Sequence, residues 1–117
     1  MKTTSTKEIT MEERIAEWKK QYKNIYKNTI DGIDIYWRAV KRSEYKDLLN
    51  ANEDIDTTTA EGRELKILAK QESMVKTVVL FPDNIEDLIE EKAGIATVLS
   101  DEILDKSGFY LSETESV

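Results

Sequence analysis

The chain has 117 residues, 39% of them apolar and 35% charged, which suits one soluble domain with its own core. It contains no Cys and no His, excluding disulfides, Cys/His zinc sites, a Cys nucleophile, a Ser-His-Asp triad and imidazole acid–base chemistry. Net charge is −7 but uneven: residues 1–50 carry 11 basic and 8 acidic side chains, residues 51–117 carry 6 and 16. That acidity makes nucleic acid a poor overall partner, and the polarity could orient the chain against a partner or a second copy.

Residues 1–10 are polar, lack the apolar core of a secretory signal, and read as a flexible N-terminus. No stretch approaches the roughly 20 apolar residues of a membrane span, so no membrane is expected and the default compartment is the cytoplasm. Thr10-Met-Glu-Glu13 has the form of a capping box. Behind it Met11, Ile15, Trp18, Tyr22 and Ile25 recur at helical spacing, which predicts a helix over 11–23. Asp31-Gly32 is a hairpin turn signal between arms at 24–30 and 33–40. In the second arm Ile33, Ile35, Trp37 and Ala39 alternate with Asp34, Tyr36 and Arg38, placing the first set inward and the second outward.

Ser43 can cap a short helix through Leu49, with Tyr45, Leu48 and Leu49 facing inward. Thr58-Thr-Ala-Glu61 is a second capping box, opening a helix whose inward positions are Leu65, Leu68, Val75 and Val79. Pro82 ends it, although the β-branched run Thr77–Phe81 also reads as a strand. Asp83 caps a short acidic helix to Glu91, Ala93-Gly94 breaks it, and a last helix runs over 96–107 with Gly108 as its left-handed end. Residues 110–117 read as a flexible tail. The expected fold class is α+β and mostly helical: an N-terminal helix, one β-hairpin, then three to four helices in a single domain over 11–109.

Motifs with chemistry are few. Asn50–Glu61 offers Asn50, Asn52, Asp54, Asp56, Thr58 and Glu61 at EF-hand ligand positions, but Ile55 stands where the loop needs Gly, and a solvated acidic loop is the better reading. The paired carboxylates Glu86/Glu90 and Asp87/Glu91 fit a solvated helix face better than a hydrolase pair. No glycine-rich phosphate loop is present. The basic, aromatic stretch Trp18–Lys46 reads as core aromatics rather than a nucleic-acid stacking platform. No catalytic group, cofactor or metal is expected.

One pattern extends beyond periodicity. A helix containing Trp18 is followed by a hairpin ending in Ile35-Tyr-Trp-Arg38, then by Arg42-Ser-Glu-Tyr45 with Asp47-Leu-Leu. Val78-Val-Leu-Phe-Pro82, Ala93-Gly-Ile-Ala-Thr97 with Leu99, Glu102-Ile-Leu and Ser107-Gly-Phe109 complete it. In order and spacing, over residues 18–109, this resembles small tail-morphogenesis proteins of large tailed phages, of the tail assembly chaperone or baseplate-associated type. Val40-Lys41 departs from that pattern where an apolar residue or Pro is usual, and Ala96 where Pro is commoner.

The resemblance implies a non-enzymatic protein that binds another phage tail or baseplate protein, with self-association as a further option. It would act in the host cytoplasm during assembly, or in the virion if it is a permanent structural component. A small acidic inhibitor of a host protein is the remaining alternative. The candidate partner-binding residues are Tyr36, Arg38 and Arg42, on an outward hairpin–helix corner, with Phe81, Pro82 and Phe109 as apolar contacts that one small domain cannot wholly bury; the competing reading is that Phe81 and Phe109 close the domain's own core. The competing reading of the corner is an internal salt bridge from Arg38 or Arg42 to Glu44 or Asp47.

Overall fold

Thr10 opens the first helix as the capping-box spacing requires. Its hydroxyl accepts from the Glu13 amide at 3.1 Å, and the Glu13 carboxylate accepts from the Thr10 amide at 3.0 Å. The computed structural model describes residues 9–51, 54–109 and 114–117. Residues 1–8 and 110–113, read from sequence as parts of flexible ends, lie outside them, as does Asn52 of the candidate calcium loop. Helix α1 spans Met11–Gln21 and stops short of the expected 23 because Tyr22 turns to extended backbone.

Strands β1 (Tyr26–Ile30) and β2 (Ile33–Trp37) form the hairpin. Asp31 at φ 54° and Gly32 at φ 77° both take the positive φ that a type I′ turn demands. The register pairs Tyr26 with Trp37 and Asn28 with Ile35. One face of the hairpin therefore carries Tyr26, Asn28, Ile30, Ile33, Ile35 and Trp37 toward the core. The Trp37 indole N–H donates to Asn28 Oδ1 at 2.7 Å, so the polar group inside this face is satisfied.

Helix α2 spans Arg42–Asn50. Ser43 lies inside its first turn rather than at the cap, and Glu44 closes the turn by accepting from the Lys41 amide at 2.9 Å. Helix α3 spans Ala60–Val78. Its cap is Thr59, whose hydroxyl accepts from the Gly62 amide at 2.9 Å, and not Thr58 with Glu61. Thr58 instead donates its hydroxyl to Asp56 at 2.7 Å. The ambiguous run divides: helix continues through Val78, and Val79–Phe81 forms β3. Strand β3 pairs antiparallel with β2, giving the sheet order β1-β2-β3 with β2 central. The Phe81–Pro82 peptide bond is cis.

Helix α4 (Ile85–Glu91) starts after Asn84 and has no side-chain cap, so Asp83 does not take the expected role. Helix α5 spans Gly94–Leu104, starting at Gly94 rather than Ala96 and ending before Ser107. A wide turn, Asp105–Phe109, follows, with Gly108 at φ 97°. The fold is α+β: a three-stranded antiparallel sheet with α1 on its outer face and the other helices against its inner face.

Trp37 and Ile35 from the sheet, Val40 after β2, Leu48 of α2, Met74, Val75 and Val78 of α3, Ile85 of α4, and Ile95, Ala96, Leu99 and Ile103 of α5 form one buried cluster. No helix of the described residues is long and apolar enough to cross a membrane.

Candidate functional site

The six candidate residues fall in three places. Tyr36 and Phe81 are register partners on the outer face of the sheet, with ring centroids 6.3 Å apart, and Pro82 follows directly. This face is not open. Helix α1 lies over it, with the Trp18 ring 5.9 Å from Tyr36 and the Arg14 guanidinium 5.5 Å from the Phe81 ring centroid. Tyr36, Phe81 and Pro82 are all half-buried as a result. The α1 stripe is attached largely by such ring contacts, and none of its residues is fully buried.

Arg42 and Phe109 lie elsewhere, lining a shallow cavity of about 290 Å³ with Val40, Lys41, Tyr45 and Ser107. The Phe109 ring meets Tyr45 at a tilt, with centroids 4.9 Å apart, and remains 46% exposed. The Ser107 hydroxyl accepts from the Val40 amide at 2.9 Å, which ties the final turn to the segment after β2.

Arg38 is the correction. Strand alternation places it outward, yet it is 8% exposed. The strand ends at Trp37. The Arg38 amide donates to the Val78 carbonyl at 3.2 Å, and the side chain is enclosed by α2, the end of α3 and the Tyr22 ring rather than by solvent. Its guanidinium meets both Glu44 oxygens at 2.8 Å, a two-pronged pair, and donates further to the carbonyls of Thr77 at 3.2 Å and Ala39 at 3.1 Å. The Tyr22 ring covers it at 4.8 Å. Among the described residues, its Nε is the one buried side-chain polar atom without a hydrogen-bond partner.

The hydrogen bonds from Arg38 hold the Glu44 carboxyl below the ordinary glutamate range, against a smaller opposing push from burial. The same bonds raise Arg38 further above its already high value. Arg38 therefore joins β2, α2, α3 and the end of α1. It fixes the corner from inside through the internal salt bridge to Glu44, and little of its side chain reaches the surface.

A surface the periodicity misassigns lies on the first half of α3. Leu65 and Leu68, expected inward, are 54% and 42% exposed, and Ile67 is 53% exposed. On α2, Leu49 was also expected inward and is 44% exposed. Helix phase and length explain this. Leu65 lies about 140° around α3 from the buried Val78, on another side of the helix, whereas Ile67 continues the side buried at Met74 and Val78. At 1.5 Å per residue the 19 residues of α3 run about 28 Å and the 11 of α5 about 16 Å, so that side outruns the elements packed on it toward the N-terminus. Between α2 and α3 this leaves a groove of about 330 Å³ walled by Leu48, Leu49 and Ile67, with Arg63, Lys66 and Lys70 along it. The sequence signal was present in Ile67 and the flanking cations, but periodicity reports which face is apolar and not whether a neighbour reaches it.

Among the described residues no three His, Cys, Asp or Glu side chains come together as a metal site would need. Asp56, in the candidate calcium loop, is held below its usual range by hydrogen bonds from the Thr58 hydroxyl and amide. The paired carboxylates of α4 sit at exposed positions on the solvent side of that helix.

The comparisons are negative. No protein-family model, curated protein or solved structure matches this chain.

Proposed function

We propose that this chain is a non-enzymatic bacteriophage tail or baseplate assembly protein that binds another tail protein through its own surface. The observation that carries binding is the groove between α2 and α3, where Ile67 stands exposed beside Leu49 of α2, while Leu65 and Leu68 are exposed on other sides of the same half of α3. Large apolar side chains left in water lose free energy there and recover it against a partner. The phage setting rests on the order of motifs from Trp18 to Phe109. The docking surface is thus α3 with α2, in place of the Tyr36–Arg38–Arg42 corner, while the Arg42–Phe109 cavity is a secondary contact of the same assembly.

The test is capture from phage-infected cells with a tagged chain, alongside mass spectrometry of purified particles. A tail or baseplate protein held in lysate, with the chain absent from particles, is the result expected of an assembly chaperone acting in the host cytoplasm. Stoichiometric presence in particles makes it a permanent virion component. Retention of no tail or baseplate protein, with no presence in particles, refutes the proposal.

A further inference from the structure

We infer that the groove between α2 and α3 takes an acidic amphipathic helix of another protein, an inference that rests on reading the α3 face as the docking surface. Arg63, Lys66, Ile67 and Lys70 follow the i, i+3, i+4, i+7 spacing, so one face of α3 presents an apolar residue among three cations. None of the three cations makes a salt bridge among the described residues; Arg63 reaches only the Thr57 carbonyl, at 3.0 Å. These charges stand out against their surroundings, because residues 51–117 hold only 6 basic side chains to 16 acidic ones and half of the basic ones line this groove.

The groove walls are apolar and its margin is basic, so the complementary occupant is apolar on one face and carries Asp or Glu beside it. From residue 63 to residue 70 the groove runs about 10 Å along α3, the length of two helical turns, which suits a partner helix anchored at i, i+3 or i+4, and i+7. This chain's own acidic helix is not a candidate in its folded state. Ile85 of α4 is buried, and Leu88 and Ile89 pack against the same core, so its apolar face is already used. The stripe of α1 is likewise used against the sheet. Neither of those two helices of a second copy is free to occupy the groove, and the occupant inferred is a helix of a different protein, with a second copy as the alternative the test separates.

The probe is a fluorescein-labelled peptide of about 15 residues with Leu at i, i+3, i+4 and i+7 and Glu beside them, set against the same peptide with every Glu replaced by Lys. The full chain is expected to bind the Glu peptide about tenfold tighter at low salt, with the gap closing as salt screens the rim. Ile67→Asp should abolish binding. The double change Lys66→Glu with Lys70→Glu, at half-buried positions outside the core cluster, should reverse the preference toward the Lys peptide.

Equal affinity for the two peptides overturns the inference, as does Glu-peptide binding unchanged by both variants. Dimers that dissociate on Ile67→Asp would make a second copy the occupant and also overturn it. If Ile67→Asp stops capture of a tail protein while the two peptides bind alike, the docking face stands and only the acidic partner falls.

Discussion

Truncating Arg38 tests the account of the corner most directly. Arg38→Ala removes a two-pronged pair with both bonds at 2.8 Å, two donations to carbonyls, and the stacking surface under Tyr22. A fully buried ion pair that loses one partner costs about 3–5 kcal/mol, because the other charge is left unpaired. Here the side chain of Glu44 is 25% exposed and keeps the Lys41 amide, so the lower end applies, about 3 kcal/mol. In a chain of this size that lowers the melting temperature by about 12 °C.

Glu44→Ala should cost about 2 kcal/mol, since it leaves a guanidinium that still holds two carbonyls. The double variant should lose little more than Arg38→Ala alone, leaving a coupling of about 2 kcal/mol by thermal or urea unfolding followed by circular dichroism. An additive double variant, or an Arg38→Ala protein within about 1 kcal/mol of the parent, refutes the reasoning and returns Arg38 to the surface.

Acid should weaken the same pair. Glu44 ionises more readily in the folded chain than in the unfolded one, so its contribution is complete above the ordinary glutamate range near 4.3 and drains away as pH falls through the depressed folded value. A melting-temperature series against pH should therefore fall more steeply for the parent than for Glu44→Gln, and parallel curves would count against the pairing. Gly62→Ala should destabilise by about 1–3 kcal/mol despite alanine's better helix propensity, because the added methyl overlaps the Asp56 carbonyl; chemical denaturation measures it, and a stabilised variant would contradict the packing. Trp18→Ala should free α1, seen as fast amide exchange over Met11–Gln21 while α3 and α5 stay protected; unchanged exchange in α1 would mean that other contacts hold it.

What was legible in the sequence was local. The Thr10–Glu13 box, the Asp31-Gly32 turn and the left-handed Gly108 each need a particular residue type at a particular place, and each occurs where the spacing puts it. The run Thr77–Phe81 carried both helix and strand signals because it is both, passing from α3 into β3 at Val79. Non-local features were not legible. Arg38 has the outward phase of a strand, but the chain leaves the sheet one residue earlier, and only the arrival of Glu44 at the start of α2 makes burial of a guanidinium tolerable. Leu65 and Leu68 are spaced as a core stripe would be, but packing selects the side of α3 that carries Met74, Val75 and Val78, and Leu65 lies well round the helix from it.

That distinction decides where a partner gains free energy. The outer face of the sheet is apolar and aromatic, but α1 covers it in the same chain, so a partner docking on Tyr36 and Phe81 must first displace Trp18 and Arg14. The gain is then only a difference between two similar aromatic contacts. On α3 nothing among the described residues must be displaced. At about 25 cal/mol per Å², covering Leu49 and Ile67, each roughly half exposed, is worth about 1 kcal/mol per side chain. Those two side chains supply about 2 kcal/mol before any charge is paired. That is of the size needed to hold a partner transiently and release it, and far below what an obligate interface gains from its larger buried area. A surface of this strength suits a protein that hands its partner on. Ile67→Asp should accordingly shorten the lifetime of the complex much more than it slows its formation, because removing an apolar contact acts on dissociation, while Lys66→Glu with Lys70→Glu should slow association and flatten its salt dependence. Stopped-flow mixing with the labelled Glu peptide separates the two, and an Ile67→Asp effect confined to the association rate would show that the groove is not where the partner is held.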